Sequence, residues 1–447
     1  MASAAEQLAS NLNWGAIGKA TELKKRLWFT IGALLVFRIG AYIPVPGVDP
    51  GALAEIFHRN SGGIAGMLDV FSGGSIGRMS ILALSIMPYI SASIIMQILT
   101  TVIPTLEALK KEGEAGRKKI NQYTRYGTVF LAAFQAYGIA VGLEGQTASM
   151  GPVVHDPGLF FRFVTIVTLV GGTLLLMWIG EQITARGVGN GVSLIIFAGI
   201  VAALPNALVQ TLELGRTGAL SALFIIGLAV GVVGVVAVVV FVETAQRRIV
   251  VQYPKRQVGN RMYGGEASHL PLKINTSGVI PPIFASSLLL FPATIASFQG
   301  NSGEPGIAQW IATYLAHGTP LYLASYIALI VFFCFFYTTV VFNPTETAEN
   351  LKKNGGFVPG IRPGKNTADY LEYILNRLTM IGALYLSAVC ILPELLIARG
   401  GVPFYFGGTS LLIVVSVTLD TVTQIQAHLL AHQYEGLIKK ARLRGRR

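Results

Sequence analysis

Residues 227–242 read GLAVGVVGVVAVVVFV, inside an uncharged run from Ala219 to Val242. A bilayer core about 30 Å thick takes roughly 20 apolar residues of helix, so this stretch is predicted to cross a membrane. Nine further runs of similar length flank it: 27–46, 80–103, 126–145, 159–180, 191–210, 278–298, 320–343, 378–397 and 405–427. The run at 191–210 is the weakest of them, because Pro205 and Asn206 interrupt it. Composition agrees: of 447 residues 52% are hydrophobic and 13% charged, against about 25% charged in soluble domains. A soluble chain this long would divide into two or three domains with charged surfaces, and this one lacks the charge to coat them. Cys334 and Cys390 lie in apolar runs and read as buried small hydrophobes, with no disulfide framework and no CxxC metal site. The polar start, MASAAEQLASNLNW, predicts no cleavable signal peptide.

The distribution of Lys and Arg orients the spans. On the alternation that ten spans impose, 28 of the 34 basic residues fall on one side and four, Arg59, Arg78, Arg216 and Arg399, on the other. Arg38 and Arg162 fall inside spans. The split predicts that both termini are cytoplasmic. The excess behind the net charge of +12 then faces anionic lipid headgroups or an acidic partner. Ten spans divide into five and five, over 1–210 and 217–430, followed by a basic tail at 431–447. An odd number per half gives the halves opposite topology, and inverted halves place a functional site between them near the midplane. The expected fold is an all-α polytopic membrane protein, with ten transmembrane helices in two pseudo-symmetric inverted halves of five.

Residues 61–77, SGGIAGMLDVFSGGSIG, are too short to cross and lie on the non-cytoplasmic side. They read either as a surface loop with one helical turn or as a re-entrant stopper in a vestibule, since irregular backbone at membrane depth must be buried in protein or line a cavity. Catalytic and ion-coupling chemistry is scarce. His58, His155, His269 and His317 sit in connections, and His428 and His432 have no third ligand nearby. The intramembrane charges, Arg38, Arg162, Glu394 and Asp420, lie in four different spans and form no carboxylate pair. An intramembrane enzyme and a secondary transporter with an inverted five-span repeat are both disfavoured, because each needs polar groups at the midplane. No cofactor or metal is expected. A pore without ion ligands selects by shape and wetting, and an aliphatic constriction does this by dewetting.

Eight stretches carry a family resemblance: FRIGAYIPVPG (37–47), MPYISASIIMQ (87–97), KKEGEAGRKKINQYTRYGT (110–128), MWIGEQITARGVGNG (177–191), RRIVVQYPKRQ (247–257), SHLPLKINTSGVIPPIFASS (268–287), NPTETAENLKKNGGFVPGIRPGKNTADYL (343–371) and PFYFGGTSLLIVVSV (403–417). Over about residues 20–445 the chain resembles the SecY family, the channel subunits of bacterial SecYEG translocons. The resemblance implies a channel that passes unfolded secretory proteins and releases hydrophobic segments into lipid. It places the family's pore ring on Ile86, Ile90, Val192, Ile196, Ile283 and Ile413. It makes the 61–77 segment a plug, with Ile64, Met67, Leu68, Val70 and Phe71 as its apolar residues. It puts Ser91 and Phe291 on the two lips of a lateral gate, formed by the second and third spans against the seventh and eighth. Pro281, Pro282 and Pro292 in the seventh span are expected to remove helix hydrogen bonds and loosen it.

The long connections 244–277 and 344–377 match the family's two docking loops, and RRIVVQY alternates enough to form a hairpin. Arg247, Arg248, Lys255, Arg256 and Arg261 are suited to rRNA phosphates, and Arg362 in GIRPG matches the arginine at the tip of the second loop. Asn260 stands where the family often has a basic residue. The implied partners are SecE and SecG subunits, the SecA motor ATPase, the ribosome, signal peptides and nascent chains, and anionic lipids. The implied location is the bacterial inner membrane.

Overall fold

The computed structural model describes residues 20–60, 69, 72–144, 147–148, 151–218, 221–253, 256–258, 261–263, 267–298, 319–400 and 408–444. The fold is built almost wholly of helices. In the first part of the chain these are α1 (Thr21–Gly40), α2 (Pro50–Asn60), α3 (Met87–Val102), α4 (Pro104–Lys111), α5 (Glu114–Glu144), α6 (Leu159–Arg186) and α7 (Gly191–Arg216). Two-residue strands β1 (Thr147–Ala148) and β2 (Gly151–Pro152) pair between α5 and α6. The second part contains α8 (Ala222–Thr244), α9 (Ile280–Phe298), α10 (Pro320–Val341), α11 (Pro344–Lys353), α12 (Lys365–Gly400) and α13 (Gly408–Arg444). Between α8 and α9 lie strands β3 (Gln246–Gln252), β4 (Arg256–Val258), β5 (Arg261–Tyr263) and β6 (Ala267–Lys273).

Local chemistry sets the helix starts. The Asn190 side chain accepts from the amides of Val192 and Ser193 at the head of α7, and Asn343 accepts from Thr345 and Glu346 at the head of α11. Thr319 caps α10 by accepting from Tyr322 N. Each satisfies donors that a helix end leaves open. Pro320 and Pro344 sit in first turns, where the missing N–H costs nothing.

Among the described residues seven helices are long and apolar enough to cross a membrane. Their outward residues are apolar: Leu159, Phe160 and Leu223 are 82%, 81% and 83% exposed. That surface requires hydrocarbon rather than water around it. The structure redraws several of the expected spans. The second is expected over 80–103, yet helix begins only at Met87, because Met79 (φ 44°) and Ser85 (φ 53°) hold left-handed backbone that no helix accommodates. Residues 81–86 are turns. At the other end α4 leaves α3 at 98°, where Pro104 cannot continue the helix. The first span is helical over Thr21–Gly40 rather than 27–46. The fifth was expected to be interrupted at Pro205, but α7 runs unbroken through it to Arg216. One proline removes one hydrogen bond, which a packed membrane helix absorbs. In α9, Pro281 and Pro282 lie in the first turn, where they displace no helical bond; only Pro292 stands in the interior.

The helices meet along two seams. On one, α9 packs against α3 and α5; on the other, α7 packs against α8 and α13. Small residues allow close approach. A Cβ on Gly172 of α6 would lie 1.9 Å from the Ile81 carbonyl oxygen, so only glycine lets α6 rest on the 81–86 turn. The strands form a long hairpin. β3 pairs antiparallel with β6, from Gln246 opposite Lys273 to Gln252 opposite Ala267, and β4 pairs with β5 beyond them.

Candidate functional site

The six ring residues reach one apolar cluster from four helices. Ile86 is the turn residue just before α3 and Ile90 lies in its first turn; Val192 and Ile196 stand four residues apart at the head of α7, a spacing that puts that pair on one helix face. Ile283 lies in the first turn of α9 and Ile413 in the second turn of α13. Ile86, Ile90, Ile196 and Ile413 are buried in the cluster; Val192 and Ile283 are half-buried against it. Both halves of the chain therefore contribute.

Ser91 is half-buried on α3, the helix that faces α9. Phe291 lies within α9, and its side chain is outside the described residues. α9 is joined to α10 by edge-to-face contacts of Phe284 with Phe333 (5.7 Å) and Tyr337 (6.4 Å). α3 packs with α5, and α9 with α10. The residues expected to form a plug, Ile64, Met67, Leu68, Val70 and Phe71, lie outside the described residues. The chain that follows them is closely tied. Gly74 N donates to Asp69 O (2.8 Å), Gly77 N to an Asp69 carboxylate oxygen (2.8 Å) and Ser80 N to Ser75 O (2.9 Å). Arg38 donates through Nη1 to Gly73 O (2.7 Å) and through Nη2 to Tyr42 Oη (2.9 Å). Arg38 therefore holds the end of this segment to α1.

On the hairpin, Arg247 and Arg248 project from β3 and are exposed, while Ile249 and Val251 turn inward. Arg256 lies opposite Tyr263, and Arg261 opposite Val258. Lys255 and Asn260 lie outside the described residues. Arg362 is exposed between Gly360 (φ 83°) and Gly364 (φ 108°), which only glycine adopts at ease. Its carbonyl accepts from Thr367 Oγ1 at 2.9 Å. The two loops form one body. Gln252 and Phe357 exchange backbone hydrogen bonds of 2.9 and 3.0 Å, and Ile249, Leu272, Val358, Leu371, Ile374, Leu375 and Leu378 share a small core. That core explains why α12 begins at Lys365, well before the expected span: Leu371, Ile374, Leu375 and Leu378 form a helical stripe that covers the hairpin.

Several pairings were not foreseen. Arg162 binds Glu144 with contacts of 2.6 to 3.1 Å and clamps α6 to α5. Arg125 binds Glu181 in the same two-pronged way at 3.1 and 2.7 Å. Glu243 at the end of α8 accepts from Asn275 Nδ2 at 2.7 Å. Arg162 and Glu144 flank one short connection, which is a readable signal; nothing in the sequence pairs Glu243 with Asn275.

Comparison with known proteins places this geometry. A family model described as SecY matches residues 80–422. The Protein translocase subunit SecY of Rickettsia felis is 56% identical over 423 residues, 95% of this chain and 97% of that one. The Protein translocase subunit SecY of Escherichia coli K12 is 56% identical over 430 residues, 96% and 97% of the two chains. Among solved structures, a protein-conducting channel superposes with TM-score 0.67 at 20% identity, over 91% of this chain and 92% of that one. Sec61 in a canine ribosome–channel complex superposes with TM-score 0.63 at 19% identity, again over 91% and 92%. These two establish the likeness of fold.

Proposed function

The chain belongs to the SecY family, and from that premise we propose how its parts share the work of a protein-conducting channel. It is the central channel subunit of the Sec translocon, passing unfolded secretory proteins across the membrane and releasing hydrophobic segments into lipid. This is a family of channel subunits rather than enzymes, and its members work with other subunits and the ribosome. In our reading α1, α3 and α9 join the seven long helices as spans, giving two inverted halves of five over 1–210 and 217–430. The basic connections and the tail at 431–447 then face the cytoplasm of a bacterial cell, with the spans in its inner membrane.

Ile86, Ile90, Val192, Ile196, Ile283 and Ile413 form the seal. What supports this is that these six aliphatic residues, contributed by both halves, all belong to or pack against the main apolar core. Such a constriction dewets when empty and closes around a chain when filled. Residues 61–77 act as the plug, and α3 with α5 parts from α9 with α10 at Ser91 and Phe291 to admit a signal peptide. The exposed arginines Arg247, Arg248 and Arg362, with Lys255, Arg256 and Arg261, receive the ribosome's rRNA phosphates or the SecA motor. SecE and SecG complete the channel, and anionic lipids neutralise the remaining cationic surface.

The test is reconstitution. Vesicles holding this chain with SecE and SecG, given SecA and ATP, are expected to shelter an unfolded preprotein from added protease. Equal protection in vesicles lacking this chain would refute the channel role.

A further inference from the structure

The hairpin and the seventh span meet at one buried amide. Asn275 is 3% exposed and lies two residues past the end of β6. Its Nδ2 donates to Glu243 Oε1 (2.7 Å) and to Gly278 O (3.0 Å), and its Oδ1 accepts from Ser277 Oγ (3.0 Å). Glu243 is the residue before the last of α8, three positions ahead of β3. The Glu243–Asn275 bond therefore ties together the two roots of the hairpin, just inside the backbone bond from Ile274 N to Ala245 O (3.1 Å). On its far side the same turn runs straight into α9. Gly382 of α12 packs behind it, where a Cβ would lie 3.2 Å from Ile274 O.

Two features make this turn a transmitting joint. It is stiff, because a buried amide with three partners has one geometry and leaves polar groups unpaired in any other. It also has room on one side. A cavity of about 530 Å³ opens beside the bond, lined by Glu243, Lys273, Asn275, Ser277 and Asp420 among others. A displacement of the turn toward that space meets open volume rather than packed side chains.

We propose that the Glu243–Asn275 bond couples the docking hairpin to α9, so that a partner tilting the hairpin moves the cytoplasmic end of the seventh span. This rests on the reading above that the hairpin docks the ribosome and that α9 is a gate lip. Asn275 is here a positioning residue: it touches neither partner nor substrate. Coupling of this kind is a differential effect between two sites, so the variant must separate binding from response.

The experiment uses the channel complex with cysteines replacing Ser91 and Phe291, and reads the rate of crosslinking across the gate with and without non-translating ribosomes. In the otherwise unchanged channel, ribosomes are expected to alter that rate. With Asn275→Ala, ribosomes are expected to co-sediment with unchanged affinity while the shift in rate shrinks by about fivefold or more. Glu243→Gln keeps an acceptor for the amide and is expected to retain most of the response; Glu243→Leu removes it and is expected to lose it. Should Asn275→Ala fail to accumulate, the contrast between Glu243→Gln and Glu243→Leu decides. A full response in Asn275→Ala, or in Glu243→Leu, overturns the coupling while leaving the gate reading intact. No response in the unchanged channel overturns the gate reading and the coupling with it.

Discussion

α8 and α9 are consecutive helices separated only by the hairpin, and they are held in the membrane by different physics. α8 is apolar on every side, and Val230 and Phe241 are 67% and 73% exposed. Hydrocarbon holds the outer face of such a helix, while Val239 is buried on the side that meets α7 and α13. α9 packs on α3, α5 and α10, with Phe284, Ala285 and Leu289 buried among them. Its start is fixed by Asn275 rather than by a long apolar run. A helix held by lipid is insensitive to its neighbours' positions. A helix held by neighbours is placed by them and is displaced when they move. The part proposed to open is thus the part whose position depends on specific contacts.

This contrast sets the expected effects. The largest concerns the partner side, which connects to α9. Arg362→Glu is expected to abolish ATP-dependent preprotein import while cysteine labelling of each connection shows unchanged topology, because Lys352, Lys353, Lys365 and Arg377 remain. Wild-type import rates in a correctly inserted variant would show that Arg362 serves orientation only. Next is the seal. Ile86→Asn with Ile413→Asn should hydrate the constriction and raise resting ion conductance in planar bilayers by about tenfold or more. Val230→Asn with Val233→Asn on α8 should leave conductance unchanged. Equal leak from both pairs would erase the distinction between the helices. The smallest effect is on packing. Gly172→Ala drives a methyl into the Ile81 carbonyl and is expected to destabilise the purified complex by about 1–3 kcal/mol. Gly231→Ala on α8 meets nothing within 4 Å and should leave thermal unfolding unchanged or slightly raised.

The same contrast decides what could be read from the residues alone. α8 was visible at once because its only requirement is continuous hydrophobicity. The alternation of RRIVVQY announced β3, a local rule that tertiary contacts did not override. The start of α3 was misplaced because residues 80–86 are as apolar as a helix. Their turn depends on left-handed Met79 and Ser85 and on the groove at Gly172, which lies some ninety residues away in sequence. Pro205 was given too much weight, since propensity yields to packing inside a membrane. The Glu243–Asn275 and Arg125–Glu181 pairs were invisible because each joins residues from separate elements, with no periodicity to connect them. The ring positions came from family likeness: six isolated aliphatic residues in a chain that is 52% hydrophobic carry no signal of their own.

The central claim is that a secretory chain passes through the cluster of Ile86, Ile90, Val192, Ile196, Ile283 and Ile413. The direct measurement places a photoreactive residue at Ile86 or Ile283 and, for contrast, at Val233 on α8, in channels engaged with a stalled secretory nascent chain. Crosslinks to the hydrophilic part of that chain are expected from Ile86 and Ile283 and not from Val233. Absence of crosslinks at both ring positions, with the nascent chain protected inside the membrane, would contradict the account.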